Sequence, residues 1–179
     1  HLSIRRQRQM CIRDRSSEIG SVTSTSFTLQ TGNAFNADGY NQIAYAWANV
    51  PGLQKVGTWT NNNSNDGTFV ELGFRPAVLL LKCTEATEEW YMIDDKQYAY
   101  NAGPGSSTLV ALQPNSDLTN ASTVAMAVNA GVDFLSNGFK IRSTDTSAGE
   151  ISFGTRNYVY IAWAHQPYHN LYGAQSNAR

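Results

Sequence analysis

The sequence predicts an all-β fold, an antiparallel β-sandwich of jelly-roll or lectin-like type. Three observations predict it. From Ser24 onward, short stretches alternate apolar and polar residues, and none keeps a helical period over three turns. Turn residues recur at the spacing of an antiparallel sandwich. Lys occurs only at Lys55, Lys82, Lys96 and Lys140 while Asn, Ser and Thr abound, a balance that disfavours long amphipathic helices.

The elements follow in order. Phe27 and Leu29 alternate with Ser and Thr. Residues 40–50 read as a strand with Ile43, Tyr45 and Trp47 on one face and Ala44, Ala46 and Ala48 on the other. Residues 55–60 form a short strand containing Val56 and Trp59. Residues 68–72 follow an Asn-rich turn ending in Asp66-Gly67, a hairpin signal. Residues 77–83 are an almost unbroken apolar run after Pro76. They predict a central strand covered on both faces, with Leu79 and Leu81 to one side and Val78 and Leu80 to the other. Residues 89–93 carry Trp90 and Tyr91, and residues 108–113 read as a further strand. Residues 123–128 fit a strand or a short helix. Residues 132–135 and 139–142 flank Ser136-Asn137-Gly138, a second Asn-Gly hairpin, and residues 158–165 close the series.

Composition bounds the function. With 16 Phe and Tyr and four Trp in 179 residues, there is ample apolar surface to bury, so a folded rather than a disordered chain is expected. A formal net charge of −1 gives no electrostatic reason to expect a nucleic-acid partner. No run approaches the roughly 18 apolar residues of a membrane-spanning helix. Two Cys cannot staple a fold; Cys83 lies in the apolar run 77–83, where a buried inert thiol is expected.

Residues 1–15 stand apart, with five of the nine Arg in the chain. Their run Met10-Cys11-Ile12-Arg13-Asp14-Arg15 resembles translated sequencing-adapter DNA at the end of a metagenomic contig. The segment is expected to be a non-native or disordered leader rather than a basic arm, and it lacks the apolar core of a secretory signal. The chain opens on His and is expected to be a fragment or a processed product.

An internal repeat organises the rest. The run Ile43-Ala44-Tyr45-Ala46-Trp47-Ala48-Asn49-Val50-Pro51 parallels Val159-Tyr160-Ile161-Ala162-Trp163-Ala164-His165-Gln166-Pro167, an offset of 116 positions. Upstream, Ser26-Phe27-Thr28-Leu29 parallels Gly138-Phe139-Lys140-Ile141, an offset of 112. So long a period excludes a solenoid and predicts a duplicated unit with the first copy truncated. The expected division is 16–51 for the second half of a first unit, 52–170 for a complete second unit, and 171–179 for a tail. Trp47 and Trp163, with Ile43, Tyr45, Val159 and Ile161, are expected to point into the main cores. Their small opposite faces, Ala44, Ala46 and Ala48 against Tyr160, Ala162 and Ala164, should meet a second layer, with the two units packed together or sharing a sheet.

The stretches Gly73-Phe74-Arg75-Pro76-Ala77-Val78-Leu79-Leu80-Leu81-Lys82 and Phe134-Leu135-Ser136-Asn137-Gly138-Phe139-Lys140, with Trp90-Tyr91-Met92-Ile93-Asp94 between them, carry a family resemblance. They resemble a tandem β-sandwich domain of tail-fibre and other virion proteins of marine bacteriophages, and of related uncharacterised environmental proteins. The resemblance implies a non-enzymatic structural or host-attachment domain, virion-borne or extracellular. It implies no catalytic residues and no cofactor. The expected partners are other virion subunits or a host-surface glycan, in a homo-oligomer. A carbohydrate-binding module is the alternative, and part of a glycan-cleaving enzyme a more distant one.

Candidate chemistry is sparse. Trp59, Trp90, Tyr91, Tyr98 and Tyr100 border polar loops, where exposed rings would stack on sugar faces, although edge packing explains each as well. His165 and His169 are separated by Pro167, which spoils the helical spacing of a metal pair. Asp94 and Asp95, with Glu88 and Glu89 nearby, read as turn-forming, solvated carboxylates. An acid–base pair would need a further carboxylate such as Asp133 or Glu71. The oxygen-rich run Asn61-Asn62-Asn63-Ser64-Asn65-Asp66-Gly67 invites Ca²⁺ but holds one carboxylate, so a plain turn is expected. Asn101-Ala102-Gly103-Pro104-Gly105-Ser106 reads as a loop without the Lys of a phosphate-binding loop.

Overall fold

A computed structural model of the chain describes residues 19–29, 44–86, 89–97, 101, 111–114, 131–142 and 154–166. These residues hold nine strands and no helix. β1 (Ile19–Val22) and β2 (Phe27–Leu29) make a two-stranded sheet of their own. The others are β3 (Gln54–Thr60), β4 (Phe69–Glu71), β5 (Pro76–Cys83), β6 (Tyr91–Asp94), β7 (Val132–Leu135), β8 (Gly138–Ile141) and β9 (Asn157–Ala164). They form a four-stranded main sheet in the order β3-β9-β5-β6 and a three-stranded sheet in the order β4-β8-β7. Every pairing is antiparallel. The all-β antiparallel architecture is the one the sequence predicts.

Period-two alternation builds the core between the two larger sheets. β9 contributes Tyr158, Tyr160 and Ala162; its neighbour β5 contributes Leu79, Leu81 and Cys83 in matching register. Val132 and Phe134 of β7 and Phe139 and Ile141 of β8 face them from the second sheet. Trp59 stacks on Tyr158 with ring centroids 4.8 Å apart and meets Phe139 edge-on at 5.6 Å. Such aromatic contacts add about 0.5–1.5 kcal/mol each beyond simple burial. β5 is central, between β9 and β6, as expected; Leu79 and Leu81 are fully buried, Val78 and Leu80 half-buried.

Four expectations are corrected. First, residues 44–49 are not a strand, and Tyr45 is 68% exposed rather than in a core. Their sequence alternates as a strand should, but no strand lies beside them among the described residues. Ile43 lies outside the described residues. Second, residues 61–67 do not close a hairpin, because β3 pairs with β9 and β4 with β8. The loop carries the chain from one sheet to the other. Gly67 serves close approach, since a Cβ there would stand 2.3 Å from the Ile141 carbonyl oxygen. The left-handed position in this loop belongs to Asn63, at φ 51°.

Third, the faces of β9 are reversed. The small face, with Ala162, fronts the second sheet, while Val159 and Ile161 are buried on the opposite side beside Val56. Trp163 is half-buried. Bulk between the sheets comes instead from Trp59, Tyr160 and Phe139, which leave room only for a small residue at Ala162. Fourth, of the two arrangements expected for the units, packed together or sharing a sheet, the described residues show no shared sheet, and β1 itself is an addition: Ile19-Gly20-Ser21-Val22 carries no alternation to announce it.

Smaller differences concern ends. The second hairpin has a two-residue turn, Ser136-Asn137, with Leu135 opposite Gly138. A Cβ on Gly138 would stand 2.1 Å from the Val70 carbonyl oxygen, so glycine lets β8 lie against β4. Of the strand expected at 108–113, the described part makes one bridge, Leu112 to Met92. Residues 123–128 lie outside the described residues, as do the leader and the tail beyond Gln166.

Candidate functional site

The strand order decides which polar groups meet. β6 and β9 flank β5, so Asp95 and His165 reach the same end of the main sheet. There the Asp95 N–H donates to the Ala77 carbonyl at 2.9 Å and the His165 N–H to the Arg75 carbonyl at 2.8 Å. The two side chains then join, His165 Nδ1 to Asp95 Oδ2 at 2.6 Å. The Asp95 side chain is only 6% exposed, and Lys96 Nζ lies 3.6 Å from the same oxygen. A carboxylate at Nδ1 fixes the imidazole orientation and leaves Nε2 as the second ring nitrogen for exchange with solvent or a ligand. Asp94 points elsewhere: its Oδ1 accepts the N–H groups of Lys96 and Gln97, both at 2.8 Å, and so closes the turn after β6. Asp94 is therefore the turn-former expected, whereas Asp95 is buried and paired rather than solvated.

A second polar cluster sits on the 61–67 loop and the β7–β8 hairpin. Lys140 Nζ donates to Asp66 Oδ1, and Arg142 NH1 reaches the same oxygen at 3.3 Å. Arg142 Nε donates to Asp133 Oδ2 at 2.7 Å. The Lys140 hydrogen bond and charge, with help from Arg142, hold the Asp66 carboxyl below its usual value. The loop also closes on itself, with Asp66 N–H donating to Ser64 Oγ at 3.1 Å and Asn62 Nδ2 to the Asp66 carbonyl at 3.2 Å. The one carboxylate that Ca²⁺ would need is thus neutralised by two cationic side chains, in accord with a plain loop.

At the opposite end of β9, Asn157 ties three strands together. Its Oδ1 accepts from Thr60 Oγ1 at 2.6 Å, its carbonyl accepts from Thr84, and its Nδ2 donates to Glu85. Asn101 acts on the second sheet. Its side-chain amide accepts from the Phe134 N–H at 2.8 Å and donates to the Phe134 carbonyl at 3.1 Å, standing in for a neighbouring strand along β7.

The five sequence-selected aromatic residues do not form one platform. Trp59 and Tyr91 are core residues, 5% and 3% exposed, and offer no ring face to a sugar. The cause is register: Trp59 lies opposite Tyr158, and Tyr91 opposite Leu81, both on the core side. Trp90 is half-buried, and Tyr98 and Tyr100 lie outside the described residues. Among the described residues an exposed tyrosine lies elsewhere: Tyr45 stacks on half-buried Trp47 with centroids 6.0 Å apart and planes at 23°.

Three of the carboxylates considered for acid–base work are engaged separately: Asp95 with His165, Asp133 with Arg142, and Asp94 with its turn; Glu88 lies outside the described residues. His165 gives Nδ1 to Asp95, and His169 lies outside the described residues. Among the described residues no group of three or more His, Cys, Asp or Glu side chains is placed to hold a metal ion. The His165–Asp95 pair was missed in the sequence because it depends on β6 and β9 flanking one strand. The residues lie 70 positions apart with no motif to link them.

Fold and polar pairs together define an all-β sandwich domain with separately anchored edges. The chain belongs to a family described as a domain of unknown function (DUF7483), matched over residues 8–167. One match therefore spans β1, β2 and the whole sandwich, and begins inside the Arg-rich opening segment. No curated protein and no solved structure matches the chain.

Proposed function

We propose that this is a non-enzymatic building block of a bacteriophage virion, of tail-fibre type, serving structure or host attachment outside the cell. The observation that carries the reading is how the polar side chains are used. His165, Asp95, Asp66, Arg142 and Asn157 tie strand ends and loops together, as a load-transmitting module requires. The resemblance of the Gly73–Lys82 and Phe134–Lys140 stretches to virion sandwich domains supports it. So does the repeat: β1–β2 is an antiparallel hairpin at the place where a first copy would hold the counterpart of β7–β8. In this reading residues 16–51 end a first unit and residues 52–170 form a second. The partners are other virion subunits or a host-surface glycan. A glycan-binding role has fewer rings to draw on than the sequence offers, because Trp59 and Tyr91 are in the core.

Mass spectrometry of density-banded phage particles, set beside the cellular fraction, tests the proposal. Peptides of this chain enriched in the particles are the expected result. Peptides confined to the cellular fraction, or hydrolysis of a glycan panel by the purified chain, would overturn it.

A further inference from the structure

We propose that Asn137 is a covalent modification site, at which attack by the Gly138 nitrogen converts the residue to isoaspartate and so unfastens the β7–β8 hairpin from β4. The inference rests on the geometry of this turn and not on the virion reading.

The residues meet the needs of that chemistry. Asn137-Gly138 is the sole Asn-Gly pair in the sequence, and Asn137 lies exposed in the two-residue turn between β7 and β8. Without a Cβ, Gly138 adds little crowding where its nitrogen must approach the Asn137 side chain. A larger residue would remove the hazard, but a Cβ here would stand 2.1 Å from the Val70 carbonyl oxygen. The close approach of β8 to β4 thus keeps the reactive pair in place.

The reaction has two steps. The Gly138 nitrogen loses its proton and bonds to Asn137 Cγ, and the side-chain amide nitrogen leaves as ammonia. The product is a five-membered cyclic imide. Water then opens the ring at one of its two carbonyl carbons. Opening at Cγ leaves aspartate in an otherwise unchanged chain. Opening at the main-chain carbon leaves isoaspartate, whose chain runs through Cβ and Cγ and is one methylene longer. Either product adds one negative charge.

The two products differ in what they do to the fold. The Asn137 main-chain carbonyl accepts the Leu72 N–H at 2.8 Å and the Gly73 N–H at 3.0 Å, and so fastens the hairpin to the end of β4. Aspartate keeps that carbonyl. In isoaspartate it has become a free carboxylate outside the chain, and the added methylene no longer fits a two-residue turn. Leu135 and Gly138 face each other across the turn, so the Gly138 N–H lies in the ladder and must be released before it attacks. The folded chain therefore reacts through opening of the turn, more slowly than a peptide of the same sequence. Asp66-Gly67 could close the same ring by losing water, but only from an uncharged carboxyl. Lys140 and Arg142 hold the Asp66 carboxyl in its ionised form.

The test is incubation of the whole chain in mildly alkaline buffer, beside a peptide of residues 134–141. Peptide mapping by a fragmentation method that separates isoaspartate from aspartate follows residue 137, and amide exchange follows Leu72 and Gly73. The expected result is conversion at residue 137, slower than in the peptide, with isoaspartate the larger product. In the isoaspartate fraction, exchange at Leu72 and Gly73 should accelerate by at least about tenfold, the loss of two backbone hydrogen bonds. Freshly prepared Asn137→Asp should exchange as the parent does, and Asn137→Gln, whose longer side chain does not close the five-membered ring, should stay unconverted. Three results would overturn the proposal: residue 137 intact in the folded chain after the peptide is fully converted, isoaspartate formed with exchange at Leu72 and Gly73 unchanged, or the same acceleration in Asn137→Asp.

Discussion

Two regions of this chain share a sequence pattern and differ in structure. Ala162-Trp163-Ala164 ends β9, the strand held between β3 and β5, whereas Ala46-Trp47-Ala48 belongs to no strand. At the position of Tyr45, which is mostly exposed, β9 carries Ile161, 1% exposed. The difference extends to the hairpins: Leu29 of β2 is 37% exposed, and Ile141, its counterpart on β8, is fully buried. The same alternation is thus compatible with a core strand and with an unladdered segment. The ladder partners, and the opposing sheet, decide which results.

The largest expected effect tests that contrast directly. Ile161→Ala deletes buried methyl and methylene groups from an enclosed site and should cost about 2–5 kcal/mol. Tyr45→Ala, at the equivalent register position, should change stability by less than about 0.5 kcal/mol. Urea unfolding followed by circular dichroism measures both. Similar losses for the two variants would mean that residues 44–49 are packed as β9 is, and the contrast would fall.

This contrast also explains what could be read from the sequence. The strands β3, β5, β7, β8 and β9 were legible because alternation or an unbroken apolar run coincides with a real neighbour on each. Residues 40–50 gave the same signal, but 44–49 have no strand beside them among the described residues, so the strand expected there is absent over 44–49. The face of β9 misled for a related reason: Ile161 and Trp163 are bulky, but the gap between the sheets is already filled by Trp59, Tyr160 and Phe139. Asp66-Gly67 was read as a hairpin turn but lies in a loop between sheets, whereas the Asn137-Gly138 hairpin is real; at both Gly67 and Gly138 glycine is also required because a carbonyl of another part of the chain comes close. Local sequence cannot reveal that carbonyl. Of the candidate site, the turn role of Asp94 was legible; the His165–Asp95 pair and the Asn49 and Asn101 edge caps were not, because each joins residues whose proximity the topology creates.

A smaller effect probes the roots of the two segments. Asn49 and His165 occupy equivalent places in the repeat, and each ends its segment with a side-chain bond, to the Val56 N–H and to Asp95. Asn49→Ala leaves the Val56 N–H without its acceptor and should cost about 0.5–1.5 kcal/mol. Amide exchange at Val56 should accelerate, while exchange at Ile161, across the ladder, should change much less. Unchanged exchange at Val56 would show that Asn49 is not what closes the β3 edge.

The smallest effect lies outside both segments, in the loop leaving β3, and sets the scale of surface charge beside that of packing. Asp66 is largely exposed, and its carboxyl is held below the usual value of 3.8 first by the Lys140 hydrogen bond, then by the charges of Lys140 and Arg142. Because the folded value is lowered, this contribution to stability is present above the unfolded value and disappears as pH falls through the folded one. Carbon-13 titration of the side-chain carboxyl should therefore give a midpoint below 3.8 for Asp66. Lys140→Met, which keeps the apolar stem and removes the ammonium group, should move the midpoint upward. Added salt should move it the same way in the parent chain, since an exposed pair is readily screened. Neither change should disturb the amide-exchange protection of β9, whose burial does not depend on this loop's charge. A midpoint at or above 3.8, or one indifferent to Lys140→Met, would show that the pair does not persist in solution and that the loop is held by its backbone and side-chain amides alone.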